Sequence, residues 1–298
     1  MGTPEIVVES LTALAREHEI AGLFCQPDKP VGRKQVLTTP PAKTAAAKLG
    51  IPVFQPASLK GDDVCDLILR LSPELIVVMA YGKILPKRIL DAPKFGCVNA
   101  HASLLPKYRG AAPVQYALMN GESKTGVSIQ LMDEGVDTGD IICSREIAIH
   151  ETDDAESVFK KIAALSAGLL PEAVRRIGGR NVVPVKQNEE EATYAPRIEK
   201  NMGLFSFSDD SRAIHNLIRG LCVWPVAFFR TGDKVVKVFK SEYLPDNGAP
   251  GEVLSLKPFT VAAEKGALAL LEVMPAGGRR MDGTAFASGL RLKKGSIL

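Results

Sequence analysis

Asn99 and His101 stand two residues apart at the end of the apolar run Cys97–Ala100. The turn-rich stretch Ser103-Leu-Leu-Pro106 and then Arg109-Gly110 follow them. Residues two apart on an extended chain point to the same side, so an amide and an imidazole project together. An asparagine N–H can donate to a developing oxyanion, and a histidine can polarise the same oxygen or carry a proton. The pair suits acyl transfer and calls for a carboxylate to orient the histidine and accept a proton. The loop Asp133-Glu-Gly-Val-Asp-Thr-Gly-Asp140 supplies candidates. Asp137 has flexible neighbours that let it turn inward, and Asp133, Glu134 and Asp140 compete for the role. The plainer alternative has Asn99 capping a turn, His101 satisfied in the core and the acidic loop facing solvent.

Other chemistries find little support. None of the four histidines (His18, His101, His150, His215) has another His or Cys at ligand spacing, so no metal is expected. Neither GxxxxGK[ST] nor GxGxxG occurs, and Ser103 lacks a GxSxG elbow. The five cysteines are scattered without CxxC pairs, which suits reduced thiols in a cytosolic protein. No apolar run approaches the roughly 20 residues of a membrane span. Charge is uneven: residues 200–298 hold 14 Lys/Arg against 9 Asp/Glu, whereas the first 199 hold 23 against 25. A basic C-terminal part can face a polyanion.

The elements that must position these residues alternate. Thr3-Pro4-Glu5 starts a helix. A βαβ unit would place a strand before it, so a first strand is expected ahead of Met1, absent from this chain. Strands are expected at 20–25, 52–54, 75–80, 97–100, 126–132 and 141–149, and helices at 42–49, 60–71, 113–119 and 153–177. The continuous apolar run Leu75–Ala80 reads as a strand buried on both faces. This alternation predicts a doubly wound, Rossmann-like α/β domain over 1–180 with a mostly parallel sheet. Residues 26–43 form a Pro- and Lys/Arg-rich loop, and 181–205 read as a polar linker. A helix at 212–221 precedes short strands at 227–231, 235–243, 251–255, 260–263, 267–274 and 290–292. That cadence predicts a small barrel over 206–298.

Asn99-Ala-His101-Ala-Ser103-Leu-Leu-Pro106 with Arg109-Gly110 resembles the signature of the 10-formyltetrahydrofolate-dependent formyltransferases, and Asp133–Asp140 resembles that family's second signature. Met1-Gly-Thr-Pro-Glu5, Arg109-Gly-Ala-Ala-Pro113, Gln26–Lys43, Ala192-Thr-Tyr-Ala-Pro196, Trp224-Pro225 and Pro275-Ala-Gly-Gly278 are similar to the members that formylate initiator methionyl-tRNA. The resemblance implies that Asn99 and His101 stabilise an oxyanion while Asp137 holds His101 and helps take the amine's proton. It implies 10-formyltetrahydrofolate as co-substrate, without a metal, lying along Ser103, Leu104, Leu105, Pro106, Tyr81 and Gly82. Lys29, Arg33 and Lys34 would meet the tRNA, and the C-terminal domain would be an OB-like barrel following its backbone. A cytoplasmic monomer is implied. The alternatives are a folate enzyme acting on a small amine or on water, and a tRNA-binding module with an inactive folate fold.

Overall fold

A computed structural model of the chain describes residues 1–32 and 35–298. It divides into two compact units. The first comprises Met1–Pro113, Thr125–Ala148 and Phe159–Pro196; the second comprises Val114–Lys124, Ile149–Val158 and Arg197–Leu298.

In the first unit, short apolar strands alternate with helices. The chain passes through α1 (Val8–Glu17), β1 (Leu23–Phe24), β2 (Lys29–Val31), β3 (Val36–Thr38), α2 (Pro41–Lys48), β4 (Val53–Phe54), α3 (Asp62–Leu71), β5 (Ile76–Val78), α4 (Lys87–Leu90), β6 (Cys97–His101) and β7 (Arg109–Gly110). Next come α5 (Pro113–Met119), which apart from Pro113 belongs to the second unit, then β8 (Lys124–Leu131), β9 (Ile141–Ala148), α6 (Ala155–Gly178), whose first turn also belongs to the second unit, and β10 (Tyr194–Ala195). β1 runs parallel to β4, and β5-β6-β8-β9 form a four-stranded sheet with β5 parallel and β8 antiparallel to β6. The 26–43 loop carries an antiparallel hairpin, β2 against β3. Arg33 and Lys34 lie outside the described residues.

α3 buries Cys65 and Ile68 against Phe24, Ile76, Val78 and Ile89, burial worth roughly 1.5–3 kcal/mol for each large apolar side chain. Met1-Gly2 bridges the two sheets: Gly2 N–H donates to Phe24 O at 3.0 Å and Met79 N–H donates to Met1 O at 3.0 Å. Beside that bridge is a cavity of about 560 Å³, lined by Leu11, Leu14, Leu23, Ile68 and Ile76 among others.

In the second unit, α7 (Ser211–Leu221) precedes β11 (Ala227–Thr231), β12 (Lys234–Leu244), β13 (Val253–Leu256), β14 (Phe259–Ala262), β15 (Ala267–Pro275), β16 (Met281–Asp282) and α8 (Gly283–Gly289). The strands form an antiparallel path β11-β12-β15-β14-β13, with β16 beside β15 and β11 and β13 at its ends. β12 shifts register around Lys240, and such bulges bend a long strand. Phe205, Phe207 and Phe229 pack at 5.1–5.7 Å between ring centres, joined by Ile214 and Ile218 of α7.

The strand expected at 290–292 does not form. Asp282 caps a helix just ahead of it, accepting from Thr284 N–H at 2.8 Å, and α8 runs to Gly289 with Leu290 as its C-cap, so 290–292 form the turn that follows. Leu290 and Leu292 still pack on the core as partly buried side chains. An apolar i, i+2 pair can therefore arise in a turn as well as in a strand.

Candidate active site

β6 carries Asn99 and His101 to its carboxyl end, and β8 pairs with it so that Asn99 faces Gln130 and His101 faces Ser128. Four polar side chains of the two strands thus gather on one side of the sheet. The acidic loop after β8 brings Asp137 to them. Its φ of 56° is left-handed, a region that aspartate visits more readily than most side chains. Gly139 forces the loop's path: a Cβ there would lie 1.6 Å from Leu131 O.

The Asp137 carboxylate is the hub. Oδ1 accepts from Asn99 Nδ2 at 3.1 Å and from Gln130 Nε2 at 2.8 Å. Oδ2 accepts the Gly110 backbone N–H at 2.9 Å and lies 3.5 Å from His101 Nδ1. His101 is buried, and its Nε2 sits 2.8 Å from Tyr108 O. A carbonyl can only accept, so Nε2 carries the hydrogen and Nδ1 is the nitrogen turned to the carboxylate. The Asn99 amide nitrogen has two hydrogens, and the bond to Asp137 uses one of them. Asn99 and Asp137 keep partial exposure. The cluster combines an amide donor, a carboxylate and an imidazole nitrogen open to a proton, which are the elements of amine acylation. Of the competing carboxylates, Asp133 accepts from Thr138 Oγ1 and Gly135 N–H in its own loop, and Glu134 pairs with Lys87.

The expected folate residues divide. Ser103 is fully buried, donates to Lys107 O at 2.6 Å and is tied through its carbonyl to Ser128 Oγ. Leu105 is buried, while Leu104 and Pro106 are half-buried. Tyr81 is buried at the end of β5, its carbonyl accepting from Gln26 Nε2, and burial pushes its phenol up to about 12. Gly82 is exposed. Of the basic residues expected to meet tRNA, Lys29 is exposed on the hairpin, 3.4 Å from Gln26 Oε1.

Sequence reasoning passed over Gln130, Ser128 and Gln187. The first two carried a signal, since polar residues two apart in the apolar run 126–132 repeat the Asn99/His101 pattern. Gln187 sits in the stretch read as a linker and is buried. It carried none.

Residues 1–174 match the family described as formyl transferase, and residues 197–291 match its C-terminal domain. Methionyl-tRNA formyltransferase of Citrifermentans bemidjiense is 41% identical over all of this chain and 95% of its own length. That of Caldicellulosiruptor saccharolyticus is 44% identical over all of this chain and 98% of its own length. Among solved structures, an N-formyltransferase from Helicobacter canadensis shares the fold at a TM-score of 0.68 and 21% identity, covering 90% of this chain and 97% of that one. Methionyl-tRNA formyltransferase from Clostridium thermocellum matches at a TM-score of 0.51 and 25% identity over 64% of this chain and 81% of its own. With both domain families matched and full-length identity above 40%, the chain belongs to the methionyl-tRNA formyltransferase family.

Proposed function

We propose that the chain transfers the formyl group of 10-formyltetrahydrofolate to the α-amino group of initiator methionyl-tRNA, with Asn99, His101 and Asp137 as its catalytic residues. The observation that carries this reading is the convergence of Asn99 and His101 on one carboxylate, within 3.5 Å. The folate supplies an electrophilic formyl carbon whose oxygen gains charge when the amine adds. Asn99 directs its second amide hydrogen at that oxygen. Asp137, more exposed than His101, is the group an incoming ammonium or amine meets, and the proton it accepts passes to His101 Nδ1. The imidazolium so formed lies beside the developing negative charge and stabilises it. When the tetrahedral carbon collapses, its bond to N10 breaks, the proton held on His101 returns through Asp137 to that nitrogen, and the new amide and tetrahydrofolate are released. Leu104–Pro106 and Tyr81-Gly82 form the folate-side wall, with buried Ser103 shaping it from behind.

The second unit reads as an OB-like tRNA-binding domain, supported by its antiparallel path, the bulged β12 and the positive balance of residues 200–298. Lys29, Arg33 and Lys34 are the loop's tRNA-binding residues in this reading, with Arg33 meeting the acceptor stem, and the enzyme is a cytoplasmic monomer. The test is single-turnover formylation of methionyl-tRNA. His101→Ala and Asp137→Ala should each lower kcat by at least about a hundredfold while tRNA binding at low salt survives. Near-normal turnover in both variants would sink the assignment, and absence of methionyl-tRNA binding would favour a small-amine acceptor.

A further inference from the structure

We infer that Gln187 is the positioning residue that fixes Asp137, and that the polar segment 185–195 is a strap holding the catalytic loop. This rests on the reading of Asp137 as catalytic.

Gln187 is 5% exposed, and its amide orientation is dictated by its partners. Its Oε1 accepts from Arg109 Nε at 3.1 Å and Nη2 at 2.9 Å. Its Nε2 donates to Asp137 O at 2.9 Å and Gly139 O at 2.7 Å. A guanidinium has no acceptor and a carbonyl no donor, so the flipped amide would lose all four bonds. Nε2 also lies 3.4 Å from Oε1 of Gln130, whose own Nε2 holds Asp137 Oδ1. One side chain thus grips the backbone of the loop at the left-handed residue and at the glycine that shapes it.

The rest of the strap grips the other side of the same carboxylate. β10 pairs with β7, placing Tyr194 beside Arg109 and Ala195 beside Gly110. Gly110 is the residue whose N–H holds Asp137 Oδ2, and with φ 115° a Cβ on it would lie 2.7 Å from Ala195 O. Arg109, 1% exposed, makes a two-pronged pair with Glu189 at 2.8 Å. Val185 and Ile141 exchange backbone hydrogen bonds at 2.8 Å. Segment 185–195 therefore fixes both the loop that carries Asp137 and the β7 residue whose N–H holds its Oδ2.

Gln187→Met keeps the volume and removes the clamp, whereas Gln187→Glu keeps the acceptors for Arg109 and replaces the two N–H donors by oxygen. Both should lower kcat by roughly tenfold to a hundredfold, with KM for folate and methionyl-tRNA within about twofold of the wild type. The decisive measurement is a double-mutant cycle: in an Asp137→Ala background, Gln187→Met should cost no further activity, because it acts through Asp137. Full multiplication of the two losses would overturn the inference. So would wild-type turnover in Gln187→Glu beside a poor Gln187→Met, since support of Arg109 would then be the role. If Asp137→Ala alone keeps normal turnover, it is the catalytic assignment that fails, a separable result.

Discussion

Exchanging Asp137 for asparagine separates the shape of this carboxylate from its charge. In the native site Oδ1 accepts two N–H groups, from Asn99 and Gln130, and Oδ2 accepts one from Gly110. Asparagine retains one oxygen. Placed toward Asn99 and Gln130, it keeps both bonds, and its NH2 then confronts one donor, the Gly110 N–H. Placed toward Gly110, its NH2 confronts two. The first orientation wins, and the fold loses one hydrogen bond, about 0.5–1.5 kcal/mol, or about 1–3 if the Gly110 N–H is left without an acceptor. The same NH2 lies toward His101 Nδ1 and can donate to it, while Nε2–H remains on Tyr108 O. The open nitrogen of the imidazole is then occupied, and the carboxylate that relays the proton in the proposed route is gone. Loss of general-base assistance lowers kcat by roughly 10²–10⁴. Urea unfolding of Asp137→Asn should therefore show a modest shift in midpoint, while single-turnover formylation under saturating substrates falls by two decades or more. A kcat within tenfold of the wild type would refute the proton route. A collapse of the unfolding midpoint would show that the hydrogen-bond inventory misjudges the site.

Two other outcomes bear on the surroundings. Gly139→Ala must move the loop by more than an ångström, because its Cβ would lie 1.6 Å from Leu131 O. A roughly hundredfold loss of kcat is expected, alongside a lowered urea midpoint, and unchanged kinetics would show that the loop adapts freely. In the second unit, burial and the neighbouring Arg219 charge hold the His215 imidazole below its ordinary value, while its Nδ1 stays 2.9 Å from Ser241 Oγ. The unfolded chain takes a proton near pH 6.5 and the folded one does not, so this contribution to stability is present above that value and lost as pH falls. Thermal unfolding between pH 7.5 and 5.5 should show a shallower acid decline in His215→Gln than in the wild type, and equal declines would count against a buried neutral imidazole.

What could be read in the sequence was whatever strand periodicity writes locally. Asn99 and His101 announce a shared face because they are two apart in an apolar strand. Ser128 and Gln130 write the same pattern in the strand that lies against them. The helices α2, α3 and α6 lie within two residues of the spans expected for them. α8 was not expected, since glycines at both ends and a run of small residues hid seven residues of helix. The left-handed backbone of Asp137 was only half visible, through the glycines on either side of it in the chain. Its direction depends on the Gly110 N–H and the Gln187 amide, and neither can be inferred from the loop's own residues.

Gln187 marks where such reading stops. The run Gln187-Asn-Glu-Glu-Glu191 has the composition of a solvated linker, and four of its five residues are exposed. A buried amide with four hydrogen bonds and a solvated amide are the same letter, and the partners that distinguish them lie 48, 50 and 78 positions away. A polar side chain enters a protein interior at no net cost only when its hydrogen bonds are remade there. The pairing of β10 with β7 sets Glu189 against Arg109 and delivers Gln187 to the two loop carbonyls. The polarity that makes 181–205 look like a tether is therefore, at residue 187, what binds it to the Asp137 loop and, at residue 189, what binds it to Arg109 of β7.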